Sequence, residues 1–96
     1  MKNNKNSSLI TKIKENDLIS LRKGIPSYPV YFNRNNVFSL NFDKFISCEE
    51  ILIVLKSICL KGKHAYKCLL DNELVYISDL NKAHLKLNVR FCFIKA

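Results

Sequence analysis

The sequence predicts a small, mainly α domain, a helix-turn-helix closed by a C-terminal strand, and three observations carry that expectation. A capping signal stands immediately before a long apolar run at 47–61. An amphipathic pattern occupies residues 8–22. Period-two alternation fills residues 85–94. If segment 65–78 is extended instead of helical, the same chain reads as α+β, with an antiparallel sheet packed on a helix at 48–61.

Ninety-six residues, 48% of them apolar, make one domain with a modest core. The opening MKNNKNSS is polar and low in complexity, so residues 1–7 read as a flexible basic arm and residues 8–96 as a single domain. In 8–22, Ile10, Ile13, Leu18 and Leu21 fall near one helical face, and Gly24 followed by Pro26 ends the pattern. Residues 25–36 carry two prolines and a polar end, which fits an extended connection. A short strand at Tyr28–Phe32 is compatible with it, although Pro29 argues against a central position in a sheet.

Residues 37–46 fit two patterns. Phe38, Leu40 and Phe42 alternate as in a strand, whereas Phe38, Phe42 and Phe45 share a helical face. The next segment is the strongest helical signal. Ser47 and Glu50 have the spacing of a capping box, Ile46 and Ile51 that of a hydrophobic staple, and Gly62 is placed to end a helix over 48–61. Beyond it, 63–84 reads either as two helices, the second at about 76–86, or as strands HAYKCLL and ELVYISDL joined at Asp71-Asn72, a good hairpin dipeptide. In the tail, Leu85, Leu87, Val89, Phe91 and Phe93 alternate with Lys86, Asn88, Arg90, Cys92 and Ile94, the pattern of a strand over 85–95.

Charge bears on function. The net charge of +8 is spread unevenly: residues 1–24 hold six Lys/Arg against two acids, 25–60 three against three, and 61–96 seven against three. A small chain so charged is expected to meet a polyanion, with nucleic acid foremost. The longest unbroken apolar run, Ile51–Leu55, is far short of the roughly 20 residues that span a membrane. No apolar stretch follows Lys2 and Lys5 as in a signal peptide, so a cytoplasmic, nucleoid-associated location is expected.

The four cysteines, Cys48, Cys59, Cys68 and Cys92, then read as small hydrophobes, not disulfide partners. A zinc site from Cys59, His64, Cys68 and His84 has a spacing that matches no standard ligand set. No P-loop, GxSxG, HExxH or paired-carboxylate pattern is present, so no catalytic residue, metal or cofactor is assigned and no enzyme is expected.

What remains is a DNA-contacting set: Lys61, Lys63, His64, Lys67, Ser78, Asn81, Lys82 and Lys86. In a helix-turn-helix, the lysines at 61–67 meet phosphates, and Asn81 and Lys82, with Ser78, Asp79 and His84, lie on the reading helix. Asparagine can pair with adenine, and lysine can reach guanine or a phosphate. A different class of function goes with the extended reading of 65–78: an α+β interaction module or inhibitor of phage or plasmid type, which docks on a host protein.

One resemblance sharpens the first expectation. An apolar, aromatic segment (VFSLNFDKFIS) leads into CEEILIVLKSICLKG, with a basic residue at Lys56 and a glycine at Gly62. Further on, Tyr76-Ile77-Ser78 is followed by Lys82. From Val37 to about Leu87 the chain resembles the PapB-type regulators of fimbrial (adhesin biosynthesis) operons, although Lys63-His64-Ala65 stands where that family has Ser-Arg-Lys. The resemblance implies an oligomeric DNA-binding regulator of transcription that acts at AT-rich sites, with no membrane and no small-molecule substrate.

Overall fold

Four of the ten residues from Ile51 to Leu60 are β-branched, and such side chains fit a pleated surface better than a helix interior. The computed structural model describes residues 13–60, 62–82 and 85–96, with the backbone alone at 60, 80–82 and 85–87. In it this segment is the longest strand, not a helix. In chain order the elements are β1 (Leu18–Leu21), β2 (Tyr28–Val30), a 3-10 turn (Arg34–Asn36), β3 (Lys44–Ile46), β4 (Ile51–Leu60), β5 (Lys63–Leu70), β6 (Glu73–Ser78), β7 (Leu80–Lys82), β8 (Leu85–Leu87), α1 (Val89–Cys92) and β9 (Phe93–Lys95). An antiparallel sheet of order β6-β5-β4-β1-β9 dominates, beside the two-stranded ribbons β2–β3 and β7–β8.

The fold is therefore mainly β. The helix-turn-helix is corrected, and so is the α+β alternative, because the helix at 48–61 on which its sheet would pack is itself the central strand. A reading helix at about 76–86 is likewise absent from the described residues, since 76–78, 80–82 and 85–87 are strand. Ser47 does make half of a capping box: its N–H donates to the Glu50 carboxylate at 3.0 Å. Its hydroxyl accepts instead from the Glu49 N–H at 3.3 Å, and the structure closes a single turn before β4 begins. Gly62, at φ +75°, supplies its left-handed conformation to the turn between β4 and β5.

The helical face at 8–22 fails for a related reason. In β1, Ile19 and Leu21 are buried and Leu18 is exposed, a period of two, and residues 8–12 lie outside the described set. The hairpin at Asp71-Asn72 forms as its chemistry predicts. Both residues have positive φ, 49° and 66°, as a type I′ turn demands, and Leu70 pairs with Glu73. The C-terminal strand is interrupted: α1 turns once between β8 and β9, with Asn88 accepting from the Arg90 N–H at its start.

One face of the sheet, the inner face, carries Ile19, Leu52, Val54, Cys68, Val75 and Ile77, all buried. The β2–β3 ribbon closes over it. The Tyr28 hydroxyl donates to the Ser78 carbonyl at 2.8 Å, and its ring stands edge-on to Phe93 at 4.9 Å. Burial pushes the Tyr28 phenol well above its usual pKa.

The chain then passes the edge of β6, where Tyr31 and Tyr76 exchange backbone hydrogen bonds of 2.9 and 2.8 Å, and folds onto the opposite, outer face. There Tyr31, Val37 and Ala65 form a second, smaller core, flanked by Phe38, Phe42, Ile58 and Tyr76. The buried Ser78 hydroxyl ties this segment down by donating to the Val37 carbonyl. Among the described residues, no helix is long and apolar enough to cross a membrane.

Candidate functional site

Strand register sorts the outer face into rows, because directly paired residues share a side of the sheet. Along a strand, same-side residues recur every two positions, so adjacent rows lie about 7 Å apart. The first row is Ile94, Ser20 and Ile51. The second is Leu18, Ile53, Leu69 and Leu74, four apolar side chains on four neighbouring strands. A third row is Lys56, Lys67 and Tyr76, and a fourth Ile58, Ala65 and Ser78. β4 carries a bulge at Leu55, so the outer side falls on Ile51 and Ile53 before it and on Lys56 and Ile58 after it.

These rows fare differently. The fourth lies beneath the 31–43 segment and is packed. The second is open: Leu18 is 46% exposed, Ile53 36% and Leu74 46%, with Leu69 half-buried, and Ile51 in the first row is 50% exposed. Scattered exposed leucines are ordinary in soluble proteins, whereas these four apolar side chains are contiguous across four paired strands.

Between the open and covered rows sits a cavity of about 330 Å³, lined by Arg34, Lys56, Ser57, Ile58, Cys59, Lys67 and Tyr76. Three of these are cationic and none is acidic. All eight acids of the chain lie among the described residues, yet none pairs with Arg34, Lys56 or Lys67; the ion pairs seen are Lys44–Glu73 at 3.5 Å and Lys95–Asp17 at 4.0 Å.

Among the described residues of the set expected from sequence, only Lys67 lines this cavity. Lys63 is exposed and stands over the Phe38 ring, 5.6 Å from its centroid. His64 is exposed and pairs with Cys59 across β4–β5. Ser78, assigned to the reading helix, is instead buried in β6 and holds Val37. Asp79 accepts from the Val89 N–H at 2.8 Å, and its own N–H donates to the His64 carbonyl at 3.0 Å. Lys61 and His84, the side chains of Asn81, Lys82 and Lys86, and the arm 1–7 lie outside the described residues.

No group of three or more His, Cys, Asp or Glu among the described residues is placed to hold a metal. Cys59 and His64 are neighbours on adjacent strands, but Cys68 is buried in the inner core, where desolvation pushes its thiol from 9.0 up to about 12. A thiol held in its protonated form is a poor ligand and a poor nucleophile.

Sequence reasoning missed Arg34 and the site role of Lys56. Lys56 meets Lys67 only through the β4–β5 register, and Arg34 arrives from the 3-10 turn of the covering segment. The signal that finds Lys56 is Gly62, once the residues before it are taken as a strand. Compared with known proteins, the chain matches no family model, no curated protein and no solved structure.

Proposed function

We propose that this chain is a small β-sheet interaction module that docks a protein partner on the open end of its outer face. The observation that carries the reading is the apolar Leu18–Ile53–Leu69–Leu74 row, exposed at Leu18, Ile53 and Leu74 on an antiparallel sheet. An extended 65–78 segment with a flat apolar face is what distinguishes a protein-docking module from a nucleic-acid reader. The partner is a protein surface that offers apolar side chains bordered by acidic ones. A second copy of this chain is disfavoured, because each copy carries +8 and a cationic row beside the apolar one. Burying the apolar row supplies the affinity, and the cations steer the encounter.

The test is comparative capture from cell extract with the wild-type chain and with an L18T/L74T variant, followed by reconstitution from purified components and a sedimentation run on the chain alone. The reading expects an acidic protein that the wild type retains, that the variant loses, and that rebinds when purified. Identical retained sets would overturn it. So would self-association of the wild type that the variant abolishes, or capture that disappears on nuclease treatment.

A further inference from the structure

The third row of the outer face holds a charge arrangement that folding alone does not explain. Lys56 and Lys67 are direct cross-strand partners on the same side of the sheet. Like charges placed directly opposite each other destabilise a pair, so this one position opposes a register that the rest of β4–β5 holds. Arg34 adds a third cation to the same cavity. It is held there by the 3-10 turn, whose start is fixed by the Asn33 side chain accepting from the Asn35 N–H at 2.8 Å. No acid lines the cavity, and at about 330 Å³ it is of the size of a small-ligand site.

We propose that this cavity is an anion site for a phosphomonoester. Three cations about one concavity match a dianion better than a single carboxylate. The parts also differ in use: the Arg34 guanidinium offers a planar fork to two phosphate oxygens, and the two lysines act as point charges on the remainder. Lys56 and Lys67 come from paired strands, so a bound dianion relieves the repulsion built into the register. The flank formed by Tyr76 and Ile58 leaves room for an apolar or ring-bearing group esterified to the phosphate. This site stands on the row beside the docking surface: the same lysines steer the partner's acidic border, but the affinity of docking comes from the apolar row, which the anion site does not use.

The experiment is an amide-resolved NMR titration of the full chain with inorganic phosphate, phenyl phosphate and acetate at constant ionic strength set by chloride, repeated with K56Q and K67Q. The expected result is saturable shifts confined to Arg34, Lys56, Lys67, Tyr76 and their neighbours. Phenyl phosphate should bind more tightly than inorganic phosphate, and acetate far more weakly than either. Each variant should weaken phosphate binding by about tenfold, the scale of one lost hydrogen bond to a charged group. Equal responses to acetate and phosphate, or shifts spread over all surface lysines, would overturn the site. An oligonucleotide lacking a terminal phosphate is titrated in parallel, and tighter binding of it here would overturn the site in favour of a nucleic-acid backbone. Both variants keep Leu18 and Leu74, so a failed anion site and a failed docking row are separately visible.

Discussion

At one end of the outer sheet face, the 31–43 segment buries Ala65 beneath Tyr31 and Val37. At the other, Leu18, Ile53 and Leu74 stand partly in water on the same kind of antiparallel strands. Pairing is thus not what separates the two ends. The covered end has a strap, tied by the Tyr31–Tyr76 backbone exchange and by the Ser78 hydroxyl, and the open end has none among the described residues. Apolar side chains on one surface thus meet two fates: they are buried where the chain covers them itself, and stay open to the proposed partner where it does not.

The severest test of this contrast is Tyr31→Ala. The ring is fully buried, stands edge-on to Phe42 at 5.7 Å, and its hydroxyl donates to the Ser39 carbonyl at 2.6 Å. Its loss should cost about 3–5 kcal/mol in urea unfolding, as large-to-small changes at buried aromatics do. A loss below about 1 kcal/mol would mean that the strap is not a folded part of the domain.

A second test reaches behind the open end, where Cys68 pairs with Val54 and Val75 on the inner face. Desolvation raises its thiol from 9.0 to about 12, so the folded chain holds that proton more tightly than the unfolded one. The stability from this group is complete below pH 9 and is lost as pH rises toward about 12. Unfolding midpoints between about pH 8 and pH 11 should fall less steeply in Cys68→Val than in the wild type. Identical slopes would show that water reaches the sheet behind the open row.

A smaller effect is expected of Ser78→Ala, which leaves the Val37 carbonyl without its donor. It should cost about 1–3 kcal/mol and loosen the strap, visible as faster hydrogen exchange at Tyr31 and Tyr76. The smallest effect belongs to the open row: Leu18→Thr and Leu74→Thr should each change stability by no more than about 0.5 kcal/mol, while partner capture is lost. A large destabilisation there would make the row part of the core.

Legibility in the sequence followed the range of the physics. The Asp71-Asn72 hairpin was readable because two adjacent residues determine it. The Ser47–Glu50 pairing was readable for the same reason, and half of it forms, but a cap specifies only a turn. The conformation beyond that turn depends on β1 and β5, which pair with the two edges of β4 and about which a local capping signal says nothing. An apolar run such as Ile51–Leu55 suits a buried helix and a buried strand equally by periodicity. The 85–94 alternation foretold β8 and β9 but not α1, where Val89 and Cys92 both turn to the core across one helical turn. Among the functional candidates, Lys67 was legible as a cation. Its partner Lys56 was hidden, because the register that joins them exists only once β4 is a strand.

The bulge at Leu55 divides β4 into two stretches of opposite phase. Counting by twos from Ile51 leads to Leu55 and Ser57 and puts Lys56 inside the sheet, whereas the register puts it outside, opposite Lys67. The strand therefore carries one residue more than its pairing with β5 requires. Deleting Leu55 would join Val54 directly to Lys56, with Cys68 and Lys67 still opposite them, and both outer rows would keep their places. In most strands the loss of a mid-strand residue turns everything downstream to the wrong side. Here the sheet holds a spare, and a change of chain length that would scramble other strands can be absorbed where it occurs.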